Sequence, residues 1–521
     1  MKAIKYIFTI VCMIATVSSC TDNFEEINTN PNAQVVGSNE GLLLGAQITA
    51  GRELVDNIRS YNHGMAKWVQ YYYDVIDDNN FVRQNPREDF NDFWVYHNLV
   101  TQAIPTVERI LDNTETTPHP NYRGAALVMK AWMYQNLTEL MGPIPFSDAQ
   151  QGEVSEDPQF NKPKLDSQEE IMKGVLALLE EANNTFDLSG NAGVAMTAAS
   201  DAYAGGNVLK WKKFANSLRA RVLLRISDTD PATAKAGLEQ IFSNPTQYPV
   251  LSSNADNIGI TWENATGTYF DPLANYVNNN GFAPVVMTGI LNILGDRMDP
   301  RMKKIAAPAA SYTTPTYVGL PPAFDAANPS GFTGMTRNQI SALAPSFTAV
   351  QFRPIMTYSE VMFIKAEAAL KTYNVGTTAS AAYVEGITAN MQQLGVDSAD
   401  ITTYLANPMV VYNTTNALEQ IITQRYIAQF GQSINTYAMI RRTGYPVLDF
   451  YEIGIYKNNG YPVRILYPPH FTNYNLENFE AALQGITIID GVFGSKYWFF
   501  ENAPDPRMAP TLQTGPVTYS Y

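Results

Sequence analysis

Between Asp166 and Phe186 the apolar residues Ile171, Val175, Leu178, Leu179, Ala182 and Phe186 return at intervals of three and four. That period is one face of a helix, and Asp166 followed by Glu169 is the expected capping pair at its start. The stretch 209–227, LKWKKFANSLRARVLLRIS, repeats the period with Trp211, Phe214, Leu218 and Val222 on a stripe. Lys210, Lys213, Arg219 and Arg221 fall largely outside that stripe and read as a solvated or salt-bridged face, not a ligand site. TYSEVMFIKAEAALKT (357–372) opens with Thr357 and Glu360 as a capping box, and its alanines permit close helix contact. NALEQIITQRYIAQFGQ (416–432) has Asn416 and Glu419 in the same positions. Helices are also predicted over 90–111 and 122–142, the second stopped by Gly142 and Pro143.

Helices that recur in pairs, with alanine-rich and aromatic contact faces, predict tetratricopeptide-like hairpins, although no strict 34-residue register is legible. Between the helices the pattern changes. From Asn244 to Pro354 the chain is rich in Asn, Gly, Pro, Thr and aromatics with little helical period, and 445–521 is again loop-rich. So many aromatics in long irregular segments predict ordered, functional loops. No linker divides the chain. The expected fold is therefore mostly α, a tetratricopeptide-like helical-pair scaffold with a packed loop-rich portion, formed as one domain over 20–521.

Residues 1–19 stand apart. Lys2 and Lys5 precede an apolar run from Ile7 to Val17, then Ser18 and Ser19 lie directly before Cys20. The run is too short for a permanent membrane helix but suits a secretory signal. The only other cysteine, Cys12, would be lost on cleavage, so a chain starting at Cys20 has no intramolecular disulfide. Two readings remain: a bacterial lipobox with Cys20 as the lipidated first residue, or an ordinary signal peptide with a chance cysteine. Val17 stands where leucine is commoner. Several acyl chains on Cys20 would hold a soluble body at a membrane.

Composition narrows the function classes. With 45% hydrophobic and 16% charged residues the chain is globular rather than disordered. A net charge of −14 argues against a nucleic-acid partner, which needs a basic surface. The 30 tyrosines, 24 phenylalanines and 6 tryptophans make a high aromatic count; most of these rings are expected in the core, while tyrosine also suits surfaces that bind wet ligands. Catalytic signatures are missing: His63, His97, His119 and His470 lack metal spacing, and there is no zinc cysteine pair, nucleophile elbow or phosphate loop. Asp77, Asp78, Asn79 and Asn80 cluster oxygen atoms, but without the order of a calcium loop, so a solvated turn is the plainer reading. Neither a metal nor a cofactor is expected.

Several blocks, in order, resemble the SusD/RagB family of nutrient-binding outer-membrane lipoproteins: INTNPN behind the lipobox, LTELMGPIPFSDAQ, FNKPKLDSQEEI, LKWKKFANSLRARVLLRIS, GDRMDPRM, PIMTYSEVMFIKAEAAL, QRYIAQFGQSINTYAMIRRTGYP and RILYP. The likeness runs from about Phe24 to beyond Phe500, and the ends look closest to the divergent SusD-like branch. It implies a non-enzymatic receptor on the cell surface, lipid-anchored to the outer membrane and seated over a SusC-like TonB-dependent transporter. On this resemblance Trp211, Phe214, Asn216, Arg219, Glu367, Arg441 and Arg442 are packing and salt-bridge positions. One departure is Phe471, where the family has glutamate three residues after the proline of RILYP; Asn475 fits.

The leading expectation is capture of an oligosaccharide, whose C–H faces stack on rings while Asn, Asp and Arg bond its hydroxyls. A peptide ligand, a surface glycoside hydrolase with two facing carboxylates, and a purely structural transporter subunit are the alternatives. Rings open to a ligand are expected in irregular segments, namely WVQYYYDVIDDNN (68–80) and ITWENATGTYFDPLANY (260–276). From these, Trp262, Tyr269 and Tyr276 are the candidate stacking rings, Tyr72 lies on the facing loop and Asn79 is a polar contact. Trp68 and Phe270 are assigned to the core.

Overall fold

The computed structural model describes residues 37–55, 64–73, 93–116, 118–153, 157–190, 193–262, 270–320, 337–349, 352–448, 450–451, 460–505, 508–509 and 518–520. Cys20, Asn79 and Tyr269, the Asp77–Asn80 cluster and the signal segment lie outside the described residues.

The main helices are α1 (Asn39–Leu54), α2 (Ile104–Thr116), α3 (Pro120–Met141), α4 (Gln168–Thr185), α5 (Val208–Arg225), α6 (Pro231–Ser243), α7 (Pro272–Asn280), α8 (Thr288–Asp296), α9 (Tyr358–Leu370), α10 (Ala379–Gln393), α11 (Ser398–Leu405), α12 (Ala417–Ala428) and α13 (Ser433–Thr443). Consecutive members pack as hairpins: α2 on α3, α3 on α4, α5 on α6 and α9 on α10. This is the helical-pair scaffold expected from the periodicity. Short two-stranded ribbons join the loop-rich portion: β1 (Tyr72–Tyr73) with β3 (Val285–Val286), β2 (Ile258–Thr261) with β5 (Phe352–Met356), and β4 (Thr316–Val318) with the C-terminal strand Thr518–Ser520, all antiparallel.

Local chemistry sets the helix starts, with one correction. Helix α4 is capped by Ser167 and Glu170, not by Asp166 and Glu169: the Glu170 amide donates to Ser167 Oγ at 3.3 Å and the Ser167 amide donates to Glu170 Oε2 at 2.8 Å. The Asp166 carboxylate faces away and accepts from the Phe146 and Ser147 amides at 3.0 and 2.7 Å, clamping the turn after α3. Thr357 Oγ1 accepts from the Glu360 amide at 3.1 Å, as expected, but the Glu360 side chain turns inward. Asn416 precedes α12 without making a side-chain cap.

The core is one cluster of buried side chains running from Leu43 to Phe500, with a smaller one between α9, α10, α11 and α12. Charged residues cross it. Glu360 of α9 accepts from Arg221 of α5 at 2.7 and 2.8 Å and from Arg425 of α12 at 2.8 Å. Arg225 of α5 donates to Glu139 of α3 at 2.9 Å and to Asn435 of α13 at 2.7 Å. Arg441 donates to the carbonyls of Glu139 and Val463, each at 2.7 Å, and Arg442 pairs with Glu367 at 2.7 Å. The charged side of α5 is salt-bridged, as expected, and part of it is interior: Lys213 pairs with Asp256 and Arg219 with Glu180, each at 2.8 Å, while Arg221 is as buried as the apolar stripe. The position Phe471 holds is apolar as well, its ring packed among Tyr96, Tyr467, His470 and Phe479, and Asn475 Nδ2 donates to the Pro163 carbonyl at 2.7 Å.

Candidate functional site

Strand β1 pairs Tyr72 with Val286 and Tyr73 with Val285, so segment 68–80 is joined to the strand that follows α7, not to the expected facing segment 260–276. The individual rings distribute differently from the expectation. Trp262 is only 2% exposed, and its ring lies against α1, 3.6 Å from where a Cβ on Gly51 would stand. A stacking platform must offer a face to solvent, so Trp262 is a core residue. Its neighbours explain why: Ile260, two positions before it, is buried in β2, whereas Thr261 between them is exposed. Tyr72 is 1% exposed, edge-on to Phe430 at 5.9 Å between ring centroids, and is likewise core. Trp68 is buried as expected, whereas Phe270 is half-buried with the Arg52 guanidinium 5.2 Å from its ring centre.

Tyr276 does reach the surface region. It is half-buried on α7, set edge-on to Phe282 at 6.3 Å, and the exposed Asn278, Asn279 and Asn280 follow it. Gly281 ends the helix with φ of 72°, a left-handed turn that delivers Phe282 back towards β3. The Arg337 guanidinium lies 3.7 Å from the Phe282 ring centre and donates to the Ala283 carbonyl. Tyr73, which sequence reasoning passed over, is half-buried under the Lys67 ammonium at 5.1 Å. Rings, a guanidinium and amides thus line the ground beside β1 and β3.

A second concave feature lies on the scaffold. The 406–416 loop and the polar face of α12 enclose a cleft of about 820 Å³, and α8, α12 and residues 446–448 bound an inner chamber of about 250 Å³. Arg297, Met409, Glu419 and Thr423 line both, so the two meet at those side chains. The loop is pinned from several sides. Gln420 accepts from the Asn413 amide at 2.8 Å and donates to the Val411 carbonyl at 3.0 Å. Tyr383 donates to the Val410 carbonyl and Asn407 to the Arg297 carbonyl, both at 2.8 Å. Gln424 accepts from Arg301 at 2.6 Å and donates to the Tyr404 hydroxyl at 2.7 Å. Burial raises the Tyr412 phenol above its usual range, so it remains a neutral donor. Sequence reasoning missed this cleft. Its signal was the polar spacing of Glu419, Gln420, Thr423 and Gln424 on an otherwise apolar helix, a pattern that equally marks a solvated face.

Among the described residues no three His, Cys, Asp or Glu side chains are grouped to hold a metal ion, and no helix is long and apolar enough to cross a membrane.

A SusD-like family model, described as starch-binding and associating with the outer membrane, matches residues 32–468. Among solved structures, a chitin-binding protein is 25% identical, covers 89% of this chain and 100% of its own, and superposes with a TM-score of 0.72. A chitin-binding SusD homologue from Flavobacterium johnsoniae is 21% identical over 89% of this chain and 99% of its own, with a TM-score of 0.75. A SusD homologue from Bacteroides vulgatus is 21% identical over 88% and 97%, with a TM-score of 0.73. No curated protein matches the chain.

Proposed function

The chain belongs to the SusD-like family, and from that membership we propose that it is a glycan receptor of the outer membrane, which captures an oligosaccharide and passes it to a SusC-like TonB-dependent transporter. The family match over residues 32–468 carries this reading. The ground beside β1 and β3 supports it, because half-buried rings with adjacent amides and a guanidinium suit the C–H faces and hydroxyls of a sugar. Lipidation at Cys20 would tether the receptor, and release of intact ligand distinguishes it from a hydrolase.

Chitin and starch head the test panel, since two similar structures are described as chitin-binding and the family as starch-binding. Detergent-solubilised full-length protein should be retained on one of these polysaccharides and elute with the matching soluble oligosaccharide, whose chain length stays unchanged on prolonged incubation. Shortened products would make it a hydrolase. Failure to bind any polysaccharide while binding peptides would replace the glycan by a peptide.

A further inference from the structure

We propose that the cleft between the 406–416 loop and α12 is a binding site for a short, neutral oligosaccharide, separate from the aromatic ground beside β1 and β3. The choice of a sugar rests on the glycan-receptor reading; the location rests on the cleft alone. Its volume of about 820 Å³ lies within the range of about 300–1,000 Å³ usual for small-molecule sites.

The polar groups at the junction of the two chambers set the ligand chemistry. Arg297 donates to the Ile293 carbonyl at 3.1 Å, yet forms no ion pair among the described residues, and neither does Glu419. A cation and an anion therefore face one cleft without neutralising each other. The guanidinium only donates and the carboxylate only accepts, so an occupant must offer an acceptor to one and a donor to the other. A sugar hydroxyl does both. A free anion would be repelled by Glu419 and a free cation by Arg297, which favours a ligand without net charge.

Thr423 adds an independent mark. It is 3% exposed and lines both chambers, but its hydroxyl has no hydrogen-bond partner in the described protein. The hydroxyl is open to the cleft, where a ligand hydroxyl can bond it in place of solvent. On the rim, Met409 and Val411 are 49% and 51% exposed, and Tyr412 stands beside them. Apolar groups over a polar floor match the two faces of a pyranose ring. Because Gln420, Gln424 and Asn407 already hold the walls, little ordering is required on binding.

Hydrogen-exchange mass spectrometry on the detergent-solubilised full-length protein tests this, with triacetylchitotriose, maltotriose and the zwitterionic dipeptide glycylglycine as probes. One of the trisaccharides should slow exchange across residues 406–424. Glu419→Gln and Thr423→Val should each raise the concentration for half-protection about tenfold, with the melting temperature held close to that of the parent. Trisaccharide protection confined to the segments around β1 and β3 would overturn the cleft site while leaving the glycan receptor intact. Protection of 406–424 by glycylglycine and not by either sugar would overturn the oligosaccharide assignment. Absence of protection anywhere, together with no retention on chitin or starch, would overturn both readings.

Discussion

Glu360 holds two buried guanidiniums at once, and its own ionisation records that. Burial by itself would raise its pKa from 4.5, but the charges of Arg221 and Arg425, with hydrogen bonds from Arg221 and Asn435, outweigh burial and hold it at about 2. A carboxylate whose folded pKa is depressed stabilises the fold above its unfolded value and loses that contribution as pH falls through the folded one. Here the window runs from about pH 4.5 down to about pH 2, and the contribution is on the order of 3 kcal/mol. Glu360→Gln would leave Arg221 and Arg425 without their counter-charge in the interior, at a cost of about 3–5 kcal/mol. Urea unfolding of parent and variant at neutral pH should show that loss. Repeated between pH 5 and pH 2.5, the parent should lose stability more steeply than the variant; equal slopes would assign the acid sensitivity to other groups.

At the scale of helices, close approach is made by glycine facing a large side chain. A Cβ on Gly124 of α3 would stand 2.6 Å from the Phe186 ring, and one on Gly386 of α10 would stand 2.9 Å from Phe363 of α9. Gly237 of α6 meets Leu223 of α5 in the same way at 2.6 Å. Three of the hairpin contacts thus share one device. Gly124→Ala improves helix propensity by about 1 kcal/mol, yet must displace a packed ring at about 1–3 kcal/mol, so the variant should be less stable than the parent. Gly45 of α1 is the contrasting case, exposed and with nothing within 4 Å of its added Cβ. Gly45→Ala should stabilise by about 0.5–1 kcal/mol. Thermal melts of the two variants should therefore shift in opposite directions.

For the whole molecule, the buried cluster from Leu43 to Phe500 ties the scaffold to the loop-rich portion, and the ion network adds links between α3, α5, α9, α12 and α13. The proposed tether at Cys20 would hold such a body where a receptor can hand its ligand to a pore. Extracted from native membranes in mild detergent, the protein should copurify with a barrel transporter, and Cys20→Ala should leave the membrane fraction. Recovery as a free monomer from native membranes would count against the transporter. A Cys20→Ala protein that resists carbonate washing would count against the anchor.

The amino-acid sequence by itself determined the family and those helices whose apolar period is regular, but not α7 and α8, which lie in the stretch 244–354 read as irregular. Helical period is a local property, so α4, α5, α9 and α12 were legible from Ile171, Trp211, Val361 and Ile421 and their neighbours. Even the burial of Trp262 was available locally, in its alternation with Ile260, although an aromatic in an irregular segment reads more readily as a ligand platform. Tertiary structure decided what the polar faces meet. Arg221 and Glu360 are 139 residues apart in the chain, and nothing near either one marks it as interior. The face of α12 that carries Glu419 and Thr423 has the same spacing whether it meets water or a wall supplied by 406–416 and Arg297. Periodicity reports which residues share a side of a helix, but the partner opposite that side comes from distant chain, and only folding brings the two together.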